Sequence, residues 1–135
     1  MSNTQYREIG ATLLRLTLGT MWIAHATLKW SVYTIDGFAG WLVTHNLPAF
    51  MAWPVFLLES TGGILLLLGI YGRYVSLLLL PILLTAFWVH LSNGWPHTNT
   101  GGGWEYPAFL IMASIIHALI GDGRLTMDRN LFQTR

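Results

Sequence analysis

The chain has 135 residues, the length of one domain, and a formal net charge of only +1. Charged residues make up 10% of it and hydrophobic residues 53%, whereas about a quarter of the residues of an ordinary soluble protein are charged. This composition excludes a soluble fold. Because the chain has no basic stripe, it also excludes a nucleic-acid partner. Because the chain has no cysteine, it can form neither disulfides nor thiolate metal sites and has no sulfur nucleophile.

Four apolar segments each approach the length of about 20 residues that a helix needs to cross a bilayer. They are residues 10–30, 49–70, 74–91 and 104–120, with Pro81 as an expected kink in the third. Seven Trp, five Tyr and six Phe are typical of chains that meet membrane interfaces. The sequence therefore predicts an all-α membrane protein, in which residues 1–135 form a single bundle of four transmembrane helices.

The arginines predict the orientation of that bundle. They lie at the N-terminus, between the second and third segments, and in the tail: Arg7, Arg73, Arg124, Arg129 and Arg135. The opposite side has only Lys29, at the edge of the first segment. By the positive-inside rule, both termini are expected in the cytoplasm of a bacterial cell, with a multi-pass chain in its inner membrane.

The first apolar segment also admits a different interpretation. Residues 16–23 followed by Ala24-His25-Ala26 have the pattern of a short, cleavable signal peptide. Arg15 within the apolar stretch, and the polar residues that continue to Lys29, favour an uncleaved transmembrane helix.

The outer loop of residues 31–48 predicts a short helix that lies in the membrane interface and covers the bundle. Asp36 is expected to cap it. Its apolar face would consist of Phe38, Trp41, Leu42 and His45, which follow helical spacing.

Polar residues of the first helix share one stripe about 80° wide. Arg15, Trp22 and Lys29 recur every seven residues, and His25 lies between the last two. Because ionisable groups in lipid need partners or water, this stripe is expected to face the bundle interior. For Arg15 and Lys29 the alternative is that both side chains extend to the headgroups.

Glu59 is the strongest single candidate for function. It lies roughly 14 Å into the second helix, at about 1.5 Å per residue, too deep to reach the interface. It must be protonated, paired with His25, Lys29 or Arg15, or in contact with a polar ligand.

The connector between the third and fourth helices, residues 90–107, concentrates polar and aromatic groups. His90 begins it, and Glu105 stands where a carboxylate would also simply complement a helix N-terminus. His97 is expected to be solvated, and His117, near the other end of the fourth helix, is expected to be structural.

Together these groups predict a site in the outer half of the bundle that exchanges protons with a ring-shaped molecule. Glu59, His90 and His25 are the predicted catalytic residues. Contacts to a quinone or substrate are predicted for Arg15, Trp22, Lys29, Asn93, Trp104, Glu105 and Tyr106. The case for a haem held by His25 and His90 is only that the two residues lie at a similar depth in the membrane. The His and Glu residues also lack the close spacing of a metal-binding motif. A quinone is therefore the expected cofactor, and neither a metal nor a haem is expected.

Several short motifs, in the same order along nearly the whole chain, resemble the DoxX family of small bacterial membrane proteins. They are Leu14-Arg15-Leu16 through His25 and Lys29, Gly37-Phe38-Ala39-Gly40, Leu47-Pro48, Leu58-Glu59 with Gly62-Gly63, Val89-His90-Leu91 with Asn93-Gly94, Gly102-Gly103-Trp104-Glu105-Tyr106, and Gly121-Asp122-Gly123-Arg124-Leu125. The resemblance implies a four-helix inner-membrane bundle. It also implies quinone-linked redox chemistry, since the family takes its name from a quinone-linked oxidase system and its relatives include subunits of thiosulfate:quinone oxidoreductase.

Three functions remain as alternatives. The first is a membrane subunit of a quinone-linked redox system, with membrane lipids around it and a protein partner that carries a redox centre, because the chain has no cysteine and no flavin or metal motif. The second is a non-catalytic scaffold or assembly partner for redox or stress proteins, whose internal charges would form closed pairs without a cavity. The third, a small transporter, lacks the expected inverted repeat. A homo-oligomer is open under all three.

Overall fold

The computed structural model describes residues 1–128, which form five α-helices and no strand. Two short 3-10 turns, Ala49–Met51 and Leu91–Asn93, flank the helices. The helices are α1 (Asn3–Ser31), α2 (Ile35–Thr44), α3 (Ala52–Leu68), α4 (Gly72–His90) and α5 (Glu105–Ile120). All four predicted apolar segments are thus helical, and the described part of the chain is all-α. Arg129 and Arg135, which entered the orientation argument, lie outside the described residues.

Helix α1 is longer than the apolar segment from which it was predicted. It begins with a capping box, in which the Ser2 hydroxyl accepts from the Gln5 amide and the Gln5 side chain accepts from the Ser2 amide. The helix then continues for 29 residues. The cap explains why the helix begins well before Gly10, because it satisfies N–H groups at an exposed, polar helix start.

The short helix of the first loop is present as α2, but its predicted cap is wrong. Thr34, not Asp36, caps it, and the Thr34 hydroxyl accepts from the Gly37 amide at 3.1 Å. Asp36 lies within the first helical turn. The helix begins at Ile35 because this side chain is buried in a small cluster with Leu42 and so belongs to the packed face.

Two helical stretches of the described chain, Ala49–Leu68 and Gly72–Asn93, are long and apolar enough to cross a membrane. Helix α5 is apolar but shorter. Helix α1 is not among them, since polar side chains such as Arg15 and His25 lower its mean hydropathy. Length and composition therefore support two of the four predicted crossings.

Apolar side chains cover the outside of the helices. Among those on α1, α3, α4 and α5 that are more than half exposed are Leu13, Leu57, Leu78, Phe109 and Leu119. Apolar surface this extensive is rare on soluble monomers. Lipid is the medium that such a surface fits.

Glycines let α1 and α3 pack closely. A Cβ added at Gly63 would stand 3.1 Å from the backbone nitrogen of Ile23, and one added at Gly19 would stand 3.1 Å from the carbonyl oxygen of Gly63. Small residues at helix contacts allow backbones to approach in this way. The close contact places the polar stripe of α1 directly against α3.

Arg15 is buried and joins three parts of the chain at one end of the bundle. Its guanidinium donates to the carbonyl oxygens of Leu66 and Leu67 at the end of α3, and to those of Asp122, Arg124 and Leu125 in the segment after α5. The side chain is 1% exposed, so the alternative in which Arg15 reaches the headgroups is wrong. A cation at a helix C-terminus satisfies carbonyls that have no intrahelical partner.

Candidate functional site

A cavity of about 630 Å³ lies between the helices at the end of the bundle opposite Arg15. All five helices contribute to its wall. Of the predicted site residues, those that line it are Trp22, His25, Lys29, Glu59, His90 and Tyr106. The structure thus brings six of the ten predicted residues to one chamber.

Lys29 and Glu59 form a closed ion pair within the cavity wall. The ammonium donates to both carboxylate oxygens, at 2.9 and 2.8 Å. The Glu59 side chain is 3% exposed and that of Lys29 13%. Of the three partners that the sequence offered to Glu59, the structure places Lys29 in contact. The Phe38 ring lies on a further side of the ammonium, 5.0 Å away, at a cation–π distance.

Three histidines line the cavity, and two of them, His25 and His90, share one hydrogen-bonding arrangement. Nδ1 of His25 lies 3.0 Å from the carbonyl oxygen of Met21, and Nδ1 of His90 lies 2.6 Å from that of Ala86. Because a carbonyl can only accept, Nδ1 is the donor in both rings. In the neutral ring, Nε2 is then an acceptor, and neither His25 nor His90 has committed it to these bonds.

Aromatic rings form much of the remaining wall. His25 stacks on Tyr106, with centroids 5.9 Å apart, and Trp41 lies 6.4 Å from His90. Phe38 and Trp41 stack on each other, and through these two rings α2 forms part of the cavity wall. The helical spacing of α2 predicted this face, but it did not indicate that the two rings belong to the site.

Four predicted site residues lie outside the cavity lining. Arg15 is bound at the opposite end, and the other three organise the connector of residues 90–107. Asn93 donates to the Gly102 carbonyl at 2.8 Å, Trp104 packs against Trp95, and Glu105 accepts from the His97 amide at 3.0 Å.

The reason is that the connector folds back on itself. The Trp104 amide donates to the Gly94 carbonyl and the Glu105 amide to the Trp95 carbonyl, both at 3.1 Å. These bonds hold Trp104 and Glu105 within the loop and leave Tyr106 in the cavity wall. The His97 side chain is 70% exposed, as expected, and its Nδ1 lies 3.3 Å from a Glu105 carboxylate oxygen, but the residue also borders the cavity.

His117 belongs to a second buried cluster, outside the cavity. Its Nδ1 lies 2.8 Å from the Ser76 hydroxyl, and its Nε2 lies 3.2 Å from Asp122 Oδ1. The Gly72 amide donates to the other Asp122 oxygen at 3.0 Å. The expectation that His117 is structural fits this position, because the cluster joins the start of α4 to the end of α5.

The pKa of Asp122 reflects two opposed effects. Burial raises the pKa of this carboxyl, but its hydrogen bond and charge interaction with His117, the Gly72 amide and the charge of Arg15 together lower it by more. The net pKa lies below its ordinary value, so the carboxylate form is favoured.

A larger groove of about 840 Å³ opens at the tail end, where the described residues end. Its lining includes Arg7, Glu8, Arg73 and Asp122 but none of Lys29, Glu59, His25 and His90. The Nε2 atoms of His25 and His90 that remain available as acceptors are in the smaller cavity. Within residues 1–128, no three His, Asp or Glu side chains are grouped as a metal site.

An apolar exterior, a helical bundle and a chamber with enclosed ionisable groups define a small, membrane-associated helical protein. The model of one family, DoxX, matches residues 10–91, more than half of the chain, and the chain belongs to that family. Its members are membrane-associated. The matched segment contains Lys29, Glu59, His25 and His90, whereas His97 and Tyr106 lie beyond it.

The chain is also similar to a bacterial relative along most of its length. It is 29% identical over 126 residues to a protein named "Putative oxidoreductase CatD" from Bacillus subtilis (strain 168), which covers 93% of this chain and 90% of the relative. No solved structure matches the chain. The family resemblance inferred from the sequence motifs is thereby confirmed.

Proposed function

We propose that this protein is an integral membrane subunit of a quinone-linked redox system and that it binds a quinone or a small redox substrate in the cavity. The observation that carries the proposal is the combination, in one aromatic-walled chamber, of the Lys29–Glu59 pair with His25 and His90. The name of the Bacillus subtilis relative supports the oxidoreductase class.

The size and walls of the cavity fit a ring. Small-molecule sites in proteins measure about 300–1,000 Å³ and are mostly apolar with a few polar groups, and this cavity has about 630 Å³. The Trp41 and Tyr106 rings offer flat apolar faces against which a planar headgroup would stack.

The ionisable groups suit proton exchange. A bound quinone supplies two-electron chemistry that takes up or releases protons at its oxygens. In the neutral ring, His25 and His90 each offer Nε2 as an acceptor within the same cavity, and Glu59 is also in its lining. A histidine near a carboxylate is a common arrangement of side chains for proton transfer near neutral pH. Electrons would be exchanged with a partner protein that carries a redox centre.

The finer topology belongs to the same proposal. Four crossings of a bacterial inner membrane, with both termini cytoplasmic, are supported by the apolar outer surface and by the positions of Arg7, Arg73 and Arg124. The chain has no cysteine, so single-cysteine labelling needs no background removal. A membrane-impermeant maleimide should label Thr98→Cys in intact spheroplasts and Ser2→Cys only after permeabilisation. The reverse pattern would contradict this orientation.

A scaffold role is the second candidate, and one observation favours it. In a scaffold the internal charged residues would be expected to form ion pairs with each other, and Lys29 and Glu59 form such a pair. The cavity beside the pair favours ligand binding instead, since a scaffold has no need of an enclosed chamber.

The proposal is tested on protein purified gently with its native lipids. Quinone is extracted and quantified against a membrane protein of the same size, and a visible spectrum is recorded. Near-stoichiometric quinone supports the proposal. A Soret band would instead favour haem, and the absence of both signals would favour the scaffold.

Two matched variants assign the quinone to the cavity. Glu59→Gln should remove the bound quinone and leave the fold nearly intact. Glu105→Gln, which changes a carboxylate outside the cavity, should retain it. Equal retention by both variants would contradict the assignment, and unfolding of Glu59→Gln in detergent would make Glu59 a structural residue.

A further inference from the structure

We propose that the cavity binds the reduced, dihydroxy form of an aromatic ring, a quinol, in preference to the quinone. This inference rests on the proposed function and concerns the redox state of the ring that the same site selects. It follows from the balance of hydrogen-bond donors and acceptors in the cavity wall.

Two of the three histidines that line the cavity, His25 and His90, present acceptors. Both use Nδ1–H to donate to a carbonyl one turn earlier in their own helix, Met21 for His25 and Ala86 for His90. Since this bond fixes the tautomer of the neutral ring, Nε2 is an acceptor in each. A quinol hydroxyl donates a hydrogen bond to such a nitrogen, whereas a quinone carbonyl oxygen opposes it with another lone pair.

The strongest donor of the cavity, the Lys29 ammonium, has one of its three N–H groups left over from its internal hydrogen bonds. Two N–H groups of the Lys29 ammonium donate to the two Glu59 oxygens, and the Phe38 ring lies on another side of the ammonium. The Thr85 hydroxyl is likewise engaged, donating to the Pro81 carbonyl of its own helix at 2.9 Å. A quinone carbonyl would therefore compete with internal bonds for all of these donors except the third N–H of Lys29.

Among the described lining residues, the side-chain donors left for a quinone are the third N–H group of the Lys29 ammonium, the indole N–H groups of Trp22 and Trp41, and the Tyr106 hydroxyl. The Tyr106 hydroxyl can accept as readily as it donates. The acceptors, in contrast, include two imidazole nitrogens, which are strong ones. A quinol thus forms hydrogen bonds with more of the polar groups in the cavity wall than a quinone does.

The size of the preference follows from the cost of an unsatisfied buried acceptor. A hydrogen bond lost in a buried site costs roughly a factor of ten in affinity, and sites built to bind a hydroxyl reject analogues that lack it by still larger factors. Two histidine acceptors therefore predict quinol binding that is about a hundred-fold tighter. For a two-electron couple this corresponds to a midpoint potential about 60 mV higher in the bound state.

The test compares the two redox forms of one probe. A short-chain substituted benzoquinone and its chemically reduced quinol are titrated anaerobically into the protein in lipid nanodiscs, and dissociation constants are measured by calorimetry. A pH near 8 keeps ordinary imidazole neutral. The quinol is expected to bind about a hundred-fold more tightly than the quinone.

Variants assign the preference to the histidines. His25→Phe and His90→Phe keep a ring against Tyr106 and Trp41 but remove the acceptor, and each should weaken quinol binding about ten-fold with little effect on the quinone. His45→Phe is the matched control, because His45 contacts Trp41 but does not line the cavity. It should leave both constants unchanged. Quinol losses equal to quinone losses in the cavity variants would overturn the assignment.

The outcomes separate this inference from the proposed function. Equal binding of the two forms by the wild-type protein, or tighter binding of the quinone, overturns the preference and leaves the quinone-linked function standing. Binding of neither form overturns both. The wild-type ratio decides the preference even where thermal melting shows that a variant does not fold.

Discussion

Nζ of Lys29 lies 2.9 and 2.8 Å from the two carboxylate oxygens of Glu59, across the contact between α1 and α3. Both side chains are largely withdrawn from solvent, at 13% and 3% exposure. The pair also borders the cavity. It therefore links the packing of the bundle to the properties of the proposed site.

Removing one charge of this pair should be more damaging than removing both. Lys29→Met leaves a buried carboxylate without its partner and should lower the free energy of unfolding by about 3 kcal/mol. Lys29→Met combined with Glu59→Leu should recover most of that loss, because no charge remains buried. Denaturant unfolding in detergent micelles measures both, and a double variant no more stable than Lys29→Met would contradict the explanation.

Glu59→Gln should be milder than Lys29→Met. The amide oxygen of glutamine still accepts from the Lys29 ammonium, which retains the Phe38 ring and some exposure. We expect a loss of about 1 kcal/mol. This difference is what makes the glutamine variant usable for the quinone measurement, and the same unfolding experiment checks it.

Arg15→Lys should be strongly destabilising although it conserves the charge. One ammonium cannot reach the five carbonyl oxygens, at the end of α3 and in the segment after α5, that the planar guanidinium binds. The expected loss is about 3 kcal/mol of unfolding free energy. Arg7→Lys, at an exposed position, is the control and should change stability by less than about 0.5 kcal/mol.

Two glycine-to-alanine changes should act in opposite directions. At Gly63 the new methyl group would stand 2.8 Å from a side-chain carbon of Ile23 and 3.1 Å from its backbone nitrogen, which should cost about 1–3 kcal/mol. At Gly10, within α1, nothing lies within 4 Å, and alanine should stabilise the helix by about 0.5–1 kcal/mol. Thermal melting of the two variants beside the wild type would show whether the α1–α3 contact is as close as described.

Asp122 should make stability fall in acid. Its folded pKa lies below the ordinary value of 3.8, because its interactions with His117, Gly72 and Arg15 outweigh the opposing effect of burial. A depressed folded pKa contributes stability that is fully present above the ordinary value and is lost as the pH falls through the folded pKa.

The measurement is the unfolding midpoint between pH 6 and pH 3. Asp122→Asn should lower stability at pH 6 and flatten the decline below pH 4, whereas Asp36→Asn, at an exposed position of α2, should follow the wild-type profile. Parallel curves for Asp122→Asn and the wild type would show that protonation of the Asp122 carboxylate does not change the stability.

Local patterns in the sequence were enough to locate the helices. The predicted segments 74–91 and 104–120 agree closely with Gly72–His90 and Glu105–Ile120. The reason is that the backbone hydrogen bonds of a helix lie within its own segment and do not depend on the surface against which the helix packs. The same reasoning identified Glu59 as a group that needs a partner. Quinone binding and the four-crossing topology, which rest on the same patterns, stay predictions.

Only the tertiary structure decided which groups meet. Lys29 rather than Arg15 or His25 faces Glu59, Arg15 binds the segment after α5, and Trp104 and Glu105 are held in the folded connector. Helical periodicity could place Arg15, Trp22 and Lys29 on one stripe, but it carries no information about the opposing surface. Which of them lines a cavity depends on how closely α1 packs on α3 and on where the chain returns after α5, and contacts between residues distant in sequence determine both.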